Sequence, residues 1–197
     1  MIKVPNADNL AKAHQYLDSM KTESKKIILL KANILIKEGK FENAINLLNS
    51  IDSNCDCLIQ KKIYLMISFC YMKMGEDQKS IDILTKGINS LGSIDLLKDR
   101  GNLYMKIGKN DLALKDYNLI LSKIDYSNNT GILLSRGKCW VNLCKYENAI
   151  QDFTKIIEIK PESPTAYVQR AKCYEKIHLT KKSEEDLKII SKIQSNL

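Results

Sequence analysis

The fold is decided by a phrase that recurs five times: EGKFENAI from Glu38, MGEDQKSI from Met74, IGKNDLAL from Ile107, LCKYENAI from Leu143 and IHLTKKSE from Ile177. The copies align without gaps, so Ala44, Ser80, Ala113, Ala149 and Ser183 share one slot, at intervals of 36, 33, 36 and 34 residues. Self-similarity at that period marks stacked helix pairs, because one helical hairpin cannot bury its apolar face by itself.

Working outward from the phrase, apolar residues at i, i+3, i+4 and i+7 predict a helix on each side of it. First helices are expected near Lys25–Glu38, Lys61–Met74, Ile94–Ile107, Thr130–Leu143 and Pro164–Ile177. Each carries a small residue for close approach, Ala32, Ser68, Gly101, Gly137 or Ala171, and a bulky one three places on, Leu35, Tyr71, Tyr104, Trp140 or Tyr174. Small against large lets helices interlock. In the second helices the small slot is followed four residues later by Leu48, Leu84, Tyr117, Phe153 and Leu187, all expected to face inward.

Gly39, Gly75 and Gly108 stand at the turns, where a left-handed backbone suits glycine, and Cys144 and His178 replace it in the last two copies. Those two turns are expected to be strained or differently shaped. Ser24, Ser93 and Ser163 are placed to cap first helices, with Pro164 at the opening position of the fifth.

Composition agrees with an all-α chain. It has 197 residues with only 8 glycines and 3 prolines, and 44% of it is apolar. No run approaches the ~18 apolar residues of a membrane span, and Met1-Ile2-Lys3-Val4-Pro5-Asn6 has no apolar segment behind it. A cytoplasmic protein with free thiols is expected. Cys55 and Cys57 read as loop thiols, and Cys70, Cys139 and Cys173, in one shared slot, read as packing. The formal charge of +8 favours acidic partners, although the basic residues are spread along solvated faces. No phosphate loop, dinucleotide fingerprint, zinc-helix motif or nucleophile elbow is present, and His14 and His178 lack partners, so neither enzymatic activity nor a cofactor or metal is expected.

Gly137, Trp140, Ala149, Phe153 and Pro161 of the fourth copy resemble the tetratricopeptide repeat, whose pattern is W-x2-L-G-x2-Y, then A-x3-F, then P. The resemblance runs from about Lys25 to Ile193. It implies a right-handed α-solenoid of five helix-turn-helix repeats, at 25–60, 61–93, 94–129, 130–163 and 164–197. Before them, within residues 1–24, Leu10, Ala13, Leu17 and Met20 predict an amphipathic helix that either caps the array or is the remnant of a longer one. The last helix is expected to serve as the other cap, with Leu187, Ile190 and Ile193 inward.

Family resemblance further implies that partners lie in a groove lined by the first helices. Carried over, the groove-facing residues are Lys26, Leu29, Leu30, Asn33, Ile36, Lys62, Leu65, Met66, Phe69 and Met72 in the first two repeats. In the later three they are Lys98, Asp99, Asn102, Met105, Lys106, Leu134, Ser135, Lys138, Val141, Gln169, Lys172 and Lys176. The set is apolar toward the N-terminus and basic with amides toward the C-terminus. It suits an extended or helical protein segment with apolar and acidic residues, and hence a scaffold or adaptor. Alternatively, the N-terminal helix covers Leu29, Leu65, Met66 and Phe69 and makes them core.

Lys98 and Asn102 also match the opening of the co-chaperone clamp for acidic chaperone tails, from which Ser135, Thr165 and Gln169 depart. Arg136 and Arg170 lie about 100° further around their helices and are expected to point into the stack. A basic helical groove that holds RNA is the other class. Against it, most aromatics are used in repeat packing, leaving few to stack on bases.

Overall fold

A computed structural model describes residues 24–52, 55–123 and 129–195. The predicted N-terminal helix lies outside the described residues. Ten helices form among them: α1 (Lys25–Lys37), α2 (Phe41–Asn49), α3 (Cys57–Lys73), α4 (Asp77–Leu91), α5 (Ile94–Lys106), α6 (Asn110–Lys123), α7 (Thr130–Asn142), α8 (Tyr146–Ile159), α9 (Pro164–Lys176) and α10 (Thr180–Ser195). Each odd-numbered helix and its successor make one hairpin, and no described residue is in a strand. The consecutive pairing is that of an α-solenoid. No helix of the described residues is long and apolar enough to cross a membrane.

One boundary differs from expectation. α3 starts at Cys57, four residues ahead of the predicted Lys61, because Cys-Leu-Ile-Gln contains no helix breaker and Asp56 stands at the N-cap. Cys57 therefore opens a helix and is not a loop thiol. Of the expected caps, Ser24 accepts a hydrogen bond from the Ile27 amide at 3.4 Å. Ser163 occupies its N-cap position, but its side chain makes no capping bond.

All five intra-hairpin turns close in the same way. The residue after the turn glycine donates its amide back to the bulky first-helix slot: Lys40 to Leu35 at 2.9 Å, Glu76 to Tyr71 at 2.9 Å, and Lys109 to Tyr104, Lys145 to Trp140 and Leu179 to Tyr174 at 2.8 Å. That closure requires a left-handed residue at the turn. Cys144 (φ 56°) and His178 (φ 60°) adopt it as Gly39 does (φ 77°). Those turns thus keep the common shape and carry the strain of a side chain in that region.

Contacts divide the chain into two compact units, Met1–Leu96 and Leu97–Leu197. In the first, α1 packs on α2, α2 on α3 and α3 on α4, around Leu29, Ala32, Ala44, Ile45, Leu48, Ile51, Met66, Ile67 and Cys70. The small slots of its second hairpin are two buried serines. Ser80 Oγ donates to the Ser68 carbonyl at 3.0 Å and stands 2.8 Å from Ser68 Oγ, so neither hydroxyl is buried without a partner.

In the second unit α6 packs on α7, α7 on α8, α8 on α9 and α9 on α10. A Cβ added at Gly137 would lie 2.5 Å from the Phe153 ring, so only glycine permits this helix crossing. Cys70, Cys139 and Cys173 are all buried, and burial pushes each thiol up to about 11. The expected inward caps are corrected at Leu187, which is 46% exposed, whereas Ile190 is buried. Leu48, Leu84, Tyr117 and Phe153 hold its slot in earlier repeats and are buried, and α10 has no further hairpin packed over it among the described residues.

Candidate peptide groove on the first helices

The second unit brings together the side chains of three first helices. Asn102, Met105 and Lys106 of α5, Lys138, Val141 and Asn142 of α7, and Gln169 of α9 wall a groove of about 370 Å³. Spacings of three and four residues put each set on one helix face. Helical geometry sends the neighbouring small residues, Gly101, Gly137 and Ala171, into the hairpin contact, where all three are buried.

Behind that face each hairpin is pinned by a fork. Arg100 donates through Nε and Nη2 to both carboxylate oxygens of Asp116, at 2.9 and 2.7 Å. Arg136 binds Asp152 likewise at 2.9 and 2.5 Å, and Arg170 binds Asp186 at 2.9 and 2.7 Å. The aspartates are only 4, 3 and 2% exposed, so each fork works away from water. Hydrogen bonding to its aspartate raises the affinity of Arg100 and Arg170 for the proton. At Asp152 burial pushes the carboxyl up and Arg136 opposes it. The free nitrogens of two forks reach the preceding hairpin: Arg136 Nη1 donates to Asn118 Oδ1 at 2.9 Å, and Arg170 Nη1 to Thr154 Oγ1 at 3.0 Å.

The polar groups of the groove are partly pre-set. The Tyr117 hydroxyl donates to Asn102 Oδ1 at 2.7 Å, which leaves the Asn102 amide N–H groups for a ligand. Burial raises the Tyr117 pKa, keeping it a neutral donor, and the Ser135 hydroxyl also bonds it. Asn142 Nδ2 donates to Asn110 Oδ1 at 3.0 Å, which leaves the Asn142 carbonyl oxygen as an acceptor. The Lys138 ammonium is exposed and has no carboxylate partner among the described residues. Amide donors, an amide acceptor and ammonium groups beside Met105 and Val141 can bind carboxylates and main chain next to apolar side chains.

The predicted set thus divides. Asn102, Met105, Lys106, Lys138 and Gln169 wall the groove together with Val141. Lys98, Lys172 and Lys176 are exposed on α5 and α9 but do not wall it, and Ser135 lies half-buried against Tyr117. In the first unit Lys62 is exposed, Leu65 half-buried, and Phe69 38% exposed with the Lys73 ammonium 5.3 Å from its ring centre. Met66 and Leu29 are corrections: at 8 and 5% exposure they belong to the core, in one cluster with Ala44, Ile45 and Leu48 of α2 and Ile67 and Cys70 of α3, whereas Leu30 stays 50% exposed.

Sequence reasoning overlooked Asn142, although it holds the slot of Lys106 and Lys176, and Asp116, Asp152 and Asp186. The signal for the aspartates was an arginine sixteen residues upstream in each repeat. Arg136 and Arg170 do point into the stack, as expected. Among the described residues no three His, Cys, Asp or Glu side chains are grouped to hold a metal. His178 lies at its turn, and His14 lies outside the described residues.

No protein-family profile matches the chain. Among curated proteins it is 31% identical, over 103 residues, to human mitochondrial import receptor subunit TOM70, covering 51% of this chain and 17% of that protein. It is 25% identical over 199 residues to human DnaJ homolog subfamily C member 7, covering 86% of this chain and 40% of that protein. The chain therefore spans less than half the length of either relative. Its fold is similar to a crystal structure of MamA, with a TM-score of 0.71 at 18% identity over 87% of this chain and 92% of that one. A MamA double mutant gives 0.74 at 13% identity, covering 90% and 98%. The recurring phrase, the filled small-residue slots, the identical turns and these structural neighbours agree on one fold, an α-solenoid of tetratricopeptide-type helix pairs.

Proposed function

We propose that this chain is an adaptor that holds a segment of another protein, bearing carboxylates and a bulky apolar residue, in the groove walled by α5, α7 and α9. The observation that carries the reading is the wall itself: two lysines and three amide side chains around Met105 and Val141. Lysines attract an acidic segment, the amides can bond its main chain, and the thioether adapts to its apolar side chain. One relative is named an import receptor subunit and another a DnaJ homolog, which supports a binding role of co-chaperone type. Because no aromatic side chain among the described residues walls the groove, stacking on nucleic-acid bases is not favoured.

Fluorescence anisotropy with a labelled acidic peptide carrying one leucine, alongside a random RNA oligomer, tests this at near-physiological salt. The peptide should bind, and Lys138→Glu should weaken it about tenfold with unchanged helicity, since reversing an exposed charge opposite a carboxylate acts on binding and little on folding. Lys98→Glu, outside the wall, should have a smaller effect. Equal affinity in wild type and Lys138→Glu would remove the groove from the account. Tighter RNA binding with a steep salt dependence would replace the protein ligand.

A further inference from the structure

In repeats 4 and 5 an arginine of the first helix bridges two points. It binds Asn118 or Thr154 on the second helix of the preceding repeat, and the buried aspartate of its own repeat. The equivalent slots at repeat 2 hold Asn49 of the preceding repeat with Ile67 and Ile83 of its own hairpin. Isoleucine lacks the reach of a guanidinium. Where the bridge would run, a pocket of about 400 Å³ opens among α2, α3 and α4, with all three residues in its wall.

We propose that this pocket is a second binding site, which takes one large apolar side chain from a partner polypeptide. Leu48, Ile63, Ile67 and Ile83 form the apolar side of a wall that Asn49, Asp52, Gln60 and Lys86 complete, so a leucine, phenylalanine or tryptophan inserted on that side removes apolar surface from water on both partners. The edge of the pocket identifies a polypeptide as the bearer of the side chain. Asn49 and Lys86 are exposed there, and no hydrogen bond or ion pair occupies either side chain among the described residues. They are available to the main-chain amides that flank an inserted residue. The site lies within the first unit and shares no residue with the groove of the second.

The test is a titration of the full chain, labelled at isoleucine δ1 methyls, with the N-acetyl amides of phenylalanine, tryptophan, leucine and aspartate. The methyl signals of Ile63, Ile67 and Ile83 should shift saturably with the three apolar amides and not with the aspartate amide. Ile67→Arg with Ile83→Asp imports the fork of repeats 3 to 5 and should abolish the shift at Ile63 while helicity is kept. Should that pair fail to fold, Ile83→Phe fills the same space and should weaken the apolar amides at least tenfold. Lys138→Glu should leave the titration unchanged, which separates this site from the groove. No saturable shift in the wild type, an equal response to the aspartate amide, or undiminished binding in the filled variants would each overturn the proposal. Methyl shifts that follow protein concentration before any amide is added would assign the pocket to a second copy of the chain, and would also overturn it.

Discussion

Repeat 2 and repeat 4 put the same two slots on the two helices of a hairpin, yet one fills them with Ile67 and Ile83 and the other with Arg136 and Asp152. Isoleucines gain from burial in any orientation, so they hold helices together without fixing how they are turned. A guanidinium fork accepts one geometry and therefore fixes the rotation of the first helix, with Asn102, Lys138 and Gln169 aimed away from it. The comparison shows where the architecture spends precision: the unit that presents a polar wall has the directional pins. Its net stability does not follow, because desolvating both ions offsets most of their attraction.

The strongest way to break this comparison is to remove one half of a fork. Arg136→Ala leaves Asp152 buried and unpaired and should cost about 3–5 kcal/mol in urea or thermal unfolding. Arg136→Ile with Asp152→Ile, the chemistry of repeat 2, should be nearly neutral by comparison while weakening the acidic peptide. If the double change costs as much as the single one, the fork is not interchangeable with an apolar pair.

Next in size is the hairpin slot. Gly137→Leu drives a branched side chain into Phe153, already 2.5 Å from a Cβ at that position, and should cost about 1–3 kcal/mol, read from the melting midpoint. The turns sharpen the contrast at smaller scale, since the first unit closes both of its hairpins with glycine and the second only one of three. Cys144→Gly should raise stability by about 0.5–1 kcal/mol, the left-handed strain removed less the extra freedom of an unfolded glycine. No gain in the melt would mean that the turn strain is offset by side-chain contacts.

The smallest effect is kinetic. Iodoacetamide at pH 8 should modify exposed Cys57 and Cys144 within minutes, and leave Cys70, Cys139 and Cys173 protected until the chain unfolds, as read by mass spectrometry. Earlier labelling of Cys70 than of Cys139 would show that the unit without forks opens more readily.

Most of the helices and all of the turns were legible in the sequence, because small and bulky slots at a fixed period constrain one register. The groove was legible in part. Helical spacing says which way Asn102, Met105 and Lys138 point, and it says the same of Met66. It does not say whether the residue is covered by its neighbours, which is a property of several helices together, and Met66 is buried in the cluster that α1, α2 and α3 share. The aspartates of the forks were hidden for a related reason. A carboxylate on a helix reads as solvated until its arginine is traced to the facing helix of the same hairpin.

The serine pair of repeat 2 has a consequence for how this chain can change over time. With Ser80 bonded to both the hydroxyl and the carbonyl of Ser68, altering Ser80 to alanine strands the Ser68 hydroxyl, at about 1–3 kcal/mol, whereas altering Ser68 leaves Ser80 its bond to the main-chain carbonyl. Altering both leaves the ordinary small-on-small seam of repeat 1. The two codons are thereby ordered, and drift there favours replacing Ser68 before Ser80.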